Sequence, residues 1–150
     1  MNISIYRDEL QKYENSRRNL LLVVGFTAVN LVLAFLKLNF YFLFSATIPM
    51  WLYYSGLGII GIVVILIYLA CWFFMGKQRW LILIPLVLFL LDCLLYAYVF
   101  YIDFTSGGNI DYSLIIDVVF HAYVMYYLVI GTMSWFKIRG HKEEDFADPQ

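Results

Sequence analysis

Charge is scarce in this chain, and that scarcity decides the class of protein. Only 14% of the 150 residues are charged, whereas a soluble domain has about a quarter. In contrast, 63% of the residues are hydrophobic and 20% are aromatic. So few polar side chains cannot cover a surface that faces water, so the lipid bilayer is the expected solvent and partner. The net charge of −1, with no basic face, argues against a nucleic-acid partner.

Residues that carry chemistry are also few. Cys71 and Cys93 are the two cysteines, and both fall in apolar runs, which favours small buried residues over a disulfide. Of the two histidines, His121 alone lies in an apolar run, so the paired axial ligands of a bundle cytochrome are missing. No nucleophile with a partner base and no metal-ligand spacing stands out. We therefore expect no cofactor and no enzymatic activity.

Four apolar runs reach the roughly 18 residues needed to cross a hydrocarbon core of about 30 Å. The predicted spans are about 19–36, 49–75, 80–101 and 113–136. Thr47 is the predicted N-cap of the second span, with Pro49 in its first turn, and Pro85 predicts a kink in the third. Strands of a barrel are excluded because polar residues do not alternate with apolar ones. The predicted fold class is all-α, a four-transmembrane-helix bundle over residues 19–136.

Both ends of the chain are polar. Within residues 1–18, four apolar residues recur at steps of three and four and predict one helix stripe, namely Ile3, Tyr6, Leu10 and Tyr13. This pattern predicts an amphipathic interfacial helix on the membrane surface, with docking to a partner as the alternative. Residues 137–150 are predicted to form a polar tail. Nine of the ten Lys and Arg residues lie in these ends or in the turn 76–79, so both termini are predicted to be cytoplasmic.

Four polar residues fall inside the predicted spans, where an ionisable group costs about 2.5–3.5 kcal/mol or more: Asn30, Asp92, Asp117 and His121. At about 1.5 Å per residue, Asn30, Asp92 and His121 reach one layer slightly outside the midplane. Asp117 lies one turn above His121 on the same helix face. The supporting residues are Thr27, Tyr96 and Ser113.

These residues predict a polar pocket that opens outward, with Asp92 and Asp117 as anionic groups and His121 as a titratable partner. The alternative is that Asp92 and His121 pair across helices and only fix the bundle. Two aspartates and a histidine do not specify a divalent cation, so the question of a metal stays open.

Glycines cluster in the second span as Gly56-Leu57-Gly58-Ile59-Ile60-Gly61. The letters match a dinucleotide-binding fingerprint, but the strand that this motif requires does not precede them. Small residues in a span let helices approach closely, so the cluster predicts close helix packing or room for a pocket.

The stretch Tyr41-Phe42-Leu43-Phe44-Ser45-Ala46-Thr47-Ile48-Pro49 resembles one in small uncharacterised membrane proteins of Gram-positive bacteria. The resemblance covers about one loop and implies no activity. With it, the expected location is a bacterial cytoplasmic membrane. The expected function is transport or binding of a proton, a cation or a small cationic solute, in a homo-oligomer or a larger membrane complex. The alternative is an accessory or regulatory subunit of such a complex.

Overall fold

The computed structural model describes residues 1–38, 44–107 and 112–141, apart from the side chains of residues 113 and 114. This part of the chain contains helices and no strand, and the helices are α1 (Ile3–Phe35), α2 (Thr47–Leu52), α3 (Gly58–Phe74), α4 (Leu83–Thr105) and α5 (Tyr112–Ile138). Four helical stretches are long and apolar enough to cross a membrane: Ile3–Phe35, Thr47–Phe74, Arg79–Thr105 and Ile115–Ile138. The predicted all-α, four-span class is confirmed, and these stretches make the chain a multi-pass membrane protein.

The N-terminal segment is not a separate helix. It continues without a break into the first span, so α1 has 33 residues and is about 50 Å long. The prediction of a helix lying on the membrane surface is therefore wrong. Its stripe faces protein instead, and a run of residues at steps of three and four is buried: Tyr6, Glu9, Tyr13, Ser16 and Leu20. Glu9 and Ser16 of this stripe contact α5, with which α1 shares the most extensive helix contact described.

The contact between α1 and α5 is close because Gly131 has no side chain. A Cβ atom at Gly131 would collide with Ser16 of α1 and would lie 2.9 Å from Ile82 Cδ1. The backbones can approach at this point only with glycine there, which is the use that membrane helices make of small residues.

The second span is a hairpin rather than a straight rod. Between α2 and α3 the chain turns at residues 53–57, where Gly56 has a φ of +81°, a conformation that glycine adopts at little cost. A Cβ atom at Gly61 would lie 2.6 Å from the Pro49 carbonyl oxygen. In a straight helix these residues would be about 18 Å apart. The short α2 thus folds back along α3, which confirms close packing at the glycine cluster and corrects the prediction of one straight span from 49 to 75.

The third span begins with a single helical turn, Arg79–Ile82, before α4. Pro85 lies in the first turn of α4, where a backbone amide has no partner within the helix. Two apolar clusters hold the bundle together. One joins α1 to α3 through residues such as Leu31 and Ile65, and the other joins α1, α4 and α5 around Phe89.

Candidate functional site

A carboxylate and an imidazole lie against each other in the middle of the bundle. Nε2 of His121 on α5 is 3.1 Å from Oδ2 of Asp92 on α4. Asp92 has none of its surface exposed, and His121 has 4%. Asp92 lies about 14 Å from the N-terminal end of α4 and about 20 Å from its C-terminal end, so the pair is near the bilayer midplane.

The carboxylate also binds the start of α2. The backbone amide of Thr47 donates to Oδ2 of Asp92 at 2.9 Å, and that of Ile48 donates to Oδ1 at 2.6 Å. The first amides of a helix have no partners within it, so an anion there is stabilising. The prediction that Thr47 caps this helix is therefore wrong, because Thr47 is its first helical residue and α2 has no local side-chain cap. Asp92, which lies 45 positions after Thr47 in the sequence, caps α2 instead.

The contacts of His121 restrict where its protons can be. Nδ1 is 2.7 Å from the backbone carbonyl oxygen of Asp117, which only accepts, so Nδ1 carries a hydrogen. Nε2 faces Asp92 and lies 3.3 Å from the hydroxyl oxygen of Thr47. If Asp92 is ionised, Nε2 is protonated and His121 is cationic. If His121 is neutral, Asp92 carries the proton, so the two groups share one proton in either arrangement.

Aromatic rings fix the plane of the imidazole. Tyr96 stacks on His121 with 4.6 Å between ring centroids and 13° between planes. Phe89 stacks on it at 5.5 Å and 20°, and Phe120 meets it edge-on at 5.9 Å. Stacking of this kind adds about 0.5–1.5 kcal/mol to the burial of each ring. The imidazole ring is therefore held in the orientation in which Nδ1 contacts the Asp117 carbonyl oxygen and Nε2 contacts Asp92.

The polar side chains of three spans converge on one piece of backbone, residues 44–48, here called the re-entrant segment. Besides the two amides on Asp92, the amide of Ala46 donates to Thr27 Oγ1 at 2.8 Å. The amide of Phe44 donates to Asp117 Oδ1 at 3.3 Å, and Phe44 has a φ of 77°, which is uncommon outside glycine. Residues 44–46 are non-helical backbone that enters the bundle at Ala46, and the buried amide of Ala46 needs such a partner because lipid offers none.

The structure brings together five of the predicted site residues: Thr27, Asp92, Tyr96, Asp117 and His121. Asn30 is buried one turn from Thr27 on α1. The side chain of Ser113 lies outside the described residues. In this conformation Asp92 is fully buried and its carboxylate is bonded to the amides of Thr47 and Ile48, so the predicted outward opening does not reach it. No three His, Cys, Asp or Glu side chains of the described ranges lie close enough to hold a metal ion.

One further buried hydroxyl, that of Tyr68, lies closer to the end of the bundle that carries the termini. Tyr68 on α3 is 2% exposed, and its hydroxyl has no hydrogen-bond partner among the residues that the structure describes. Tyr68 lies about 10 Å further along α3 than Gly61, which contacts α2. A buried hydroxyl without a protein partner is a place where an ordered water binds.

A second polar cluster, which we call the terminal cluster, joins the start of α1 to the end of α5. The carboxylate of Glu9 accepts hydrogen bonds from Ser134 Oγ at 2.6 Å, from Lys137 Nζ at 2.8 Å and from Lys12 Nζ at 3.2 Å. The hydrogen bonds from Lys137 and Ser134 lower the pKa of Glu9 from 4.5 to about 2. This cluster lies outside the hydrocarbon core, since α1 exceeds the core by about 20 Å and its surplus end carries the charges.

The same part of α1 also holds the turn between α3 and α4. The hydroxyl of Tyr13 donates to the carbonyl oxygens of Met75 at 3.0 Å and Arg79 at 3.2 Å. The guanidinium of Arg17 donates to the Trp72 carbonyl oxygen at 3.0 Å and lies over the Trp72 ring. The contacts with Trp72 and Met75 satisfy carbonyl groups at the end of α3 that have no helical partner.

The geometry defines a four-span membrane protein with a buried Asp–His pair that holds a re-entrant segment. Compared with protein-family models, curated proteins and solved structures, the chain matches none of them.

Proposed function

We propose that this protein binds or transports a proton, a cation or a small cationic solute across a bacterial cytoplasmic membrane, with both termini in the cytoplasm. One observation supports the proposal most. The proton-sharing pair Asp92–His121 is bonded to the backbone of the re-entrant segment, so a change in its charge acts directly on the conformation of that segment. Transporters use interrupted helices with irregular backbone near the midplane in the same way.

In the proposed cycle, the described conformation is the closed one. Adding a proton to Asp92 removes the charge that attracts the amides of Thr47 and Ile48, which weakens both bonds. It also leaves the His121 imidazolium without its counter-charge. The re-entrant segment then moves away and opens a path past Asp117, the half-buried carboxylate one turn nearer the N-terminal end of α5. A cation entering from that side meets Asp117 first and then binds at Asp92 in exchange for the proton added there.

The test is a flux assay on the purified full chain in vesicles. The vesicles enclose a pH-sensitive dye, and gradients of Na⁺, K⁺, guanidinium or tetramethylammonium are imposed in turn. We expect at least one gradient to drive proton movement in the wild type and none to do so in Asp92→Asn. Tyr98→Phe, a change at a 61% exposed position of α4, is the control and retains wild-type flux.

A second candidate is a non-enzymatic accessory subunit in which the pair only fixes the bundle. The observation that favours it is that both carboxylate oxygens of Asp92 are bonded within the chain. Removing one partner of such a pair is strongly destabilising. Because Asp92→Asn is expected to lose thermal stability with either function, the accessory role is supported if the wild type shows neither flux nor cation binding in stable, folded protein. That combination of results would overturn the transport proposal.

A further inference from the structure

A large apolar groove lies on the outer wall of the bundle, away from the Asp–His pair. Its volume is about 910 Å³, and it lies between the C-terminal part of α1 and the turn and first half of α3. Its walls are apolar side chains and the glycines 56 and 58, apart from Tyr53, whose hydroxyl is occupied by the Ala34 carbonyl oxygen. Several lining residues, including Phe35 and Ile59, are largely exposed, so the groove opens to the surrounding lipid.

The groove is as long as one leaflet. It follows α1 over residues 28–36 and the second wall over residues 56–66, which is about 12–15 Å. A hydrocarbon core is about 30 Å thick, so the groove covers half of it. It ends near the middle of the membrane, where Leu31 of α1 and Ile65 of α3 enter the buried cluster that joins the two helices.

The apolar walls and the length of the groove together indicate which kind of molecule binds in it. Water gains few hydrogen bonds there, and an empty groove forfeits dispersion contacts along both walls. A membrane-spanning partner helix would run along the full thickness of the core, whereas the groove stops at its middle. An acyl chain of one leaflet has the right length and chemistry.

A basic residue follows the last groove-lining residue at the end of α1. Lys37 directly follows Leu36, a lining residue, and is the only Lys or Arg in the predicted segments on this side of the membrane. The amide of Lys37 donates to the Ala34 carbonyl oxygen and that of Leu38 to Leu33, each at 3.0 Å, with Lys37 at a φ of 55°. This is the Schellman arrangement, and it fixes the place of Lys37 at the end of α1.

We infer that this groove is a binding site for an anionic phospholipid, with an acyl chain between α1 and α3 and the headgroup phosphate at Lys37. On the predicted orientation the lipid comes from the outer leaflet. The site does not depend on the transport proposal, because none of the residues that bind the re-entrant segment line it.

Native mass spectrometry of the full chain released from mild detergent tests the inference. The probes are phosphatidylglycerol and phosphatidylcholine with identical acyl chains, and glycerol phosphate as a headgroup without chains. We expect one phosphatidylglycerol to bind about fivefold more tightly than phosphatidylcholine, as one basic residue near an anionic headgroup contributes. Glycerol phosphate alone is expected not to bind, since the chain occupies most of the site.

Two pairs of variants separate the headgroup from the acyl chain. Lys37→Gln should abolish the preference for phosphatidylglycerol, and Lys37→Arg should retain it. Val32→Trp, at a 58% exposed position in the groove, should weaken both lipids, while Val29→Trp, exposed on the same helix outside the groove, should not. Equal binding of the two lipids, or wild-type preference in Lys37→Gln, would overturn the inference. So would a dimer of the chain that Val32→Trp disrupts, since a second copy would then fill the groove.

Discussion

Replacing Asp92 by Asn exchanges one carboxylate oxygen of the buried pair for an amide nitrogen and removes the negative charge. The amide oxygen of the new side chain can still accept from Ile48, the shorter of the two backbone bonds at 2.6 Å. The amide nitrogen then faces the amide of Thr47, and two donors cannot bond to each other. His121 loses its counter-charge and becomes neutral, with Nε2 accepting from the same nitrogen.

The cost follows from these losses. A buried amide left without a partner costs about 1–3 kcal/mol. The hydrogen bond from Ile48 loses about 1 kcal/mol more, because its acceptor becomes a neutral amide oxygen instead of a charged carboxylate oxygen. The sum, about 2–4 kcal/mol, corresponds to a fall in melting temperature of about 4–16 °C for a chain of this size. Asp117→Asn is the matched control. Its carboxylate accepts one bond from Phe44 at 3.3 Å, and an Asn oxygen can accept the same bond, so its cost is below about 1 kcal/mol.

The assay is thermal unfolding in detergent, followed with a thiol-reactive dye. Cys71 is buried and Cys93 is half-buried, so their reaction reports opening of the bundle. A melting temperature of Asp92→Asn within about 2 °C of the wild type, or equal losses in the two variants, would refute the assignment of the carboxylate as the anchor of the re-entrant segment.

Three further outcomes are expected. Because the pKa of Glu9 is lowered to about 2 in the folded protein, its stabilising contribution is complete above about pH 4.5 and is lost as the pH falls toward 2. Glu9→Gln should therefore melt lower than the wild type at pH 6, with the difference narrowing by pH 3; a constant difference would contradict this. Gly131→Ala should lose about 1–3 kcal/mol through overpacking, whereas Gly25→Ala, with nothing within 4 Å of its Cβ position, should be neutral or stabilising. With the two native cysteines removed, a cysteine at Ser106 should react with an impermeant reagent on intact cells and one at Gln78 should not; the reverse pattern would invert the predicted topology.

Hydropathy and helical depth were sufficient for the broad architecture and for the central pair. The apolar runs are long enough that no other fold satisfies their backbone in lipid, so four spans follow directly. Asp92 and His121 were expected in one layer because a fixed rise per residue converts positions into depths. The distance of 3.1 Å between Asp92 Oδ2 and His121 Nε2 agrees with these depths.

The hairpin at Gly56 could not be derived in the same way. Residues 47–74 are apolar throughout, and a hydropathy window does not distinguish a straight span from a short arm folded along a longer one. Gly56 and Gly61 were recognised as sites of close packing, yet only the approach of Gly61 to Pro49 reveals that the chain reverses. The cap from Asp92 depends on that reversal, which places the start of α2 at the midplane.

The terminal cluster was missed for a different reason. Glu9 and Ser16 lie on the same stripe as Tyr6 and Tyr13, but a charged and a polar residue are ordinarily assigned to solvent. Ser134 and Lys137, at the far end of the chain, reverse that assignment by satisfying the Glu9 carboxylate. Contacts with the end of α5 and with the turn between α3 and α4 together explain why the stripe is buried.

The distribution of contacts identifies the part of the bundle that can move. α1 and α5 share the most extensive contact described, with Gly131 against Ser16 and the Glu9 carboxylate bonded to Lys137. Tilting these helices would break both the close packing at Gly131 and the charge-assisted hydrogen bonds of the terminal cluster. The re-entrant segment is held by individual hydrogen bonds, two of which end on the carboxylate of Asp92, and by the packing of Phe44 and Ala46. In the proposed cycle, a proton at the pair weakens the bonds to α2 and leaves the contact between α1 and α5 intact, so the opening begins at the re-entrant segment.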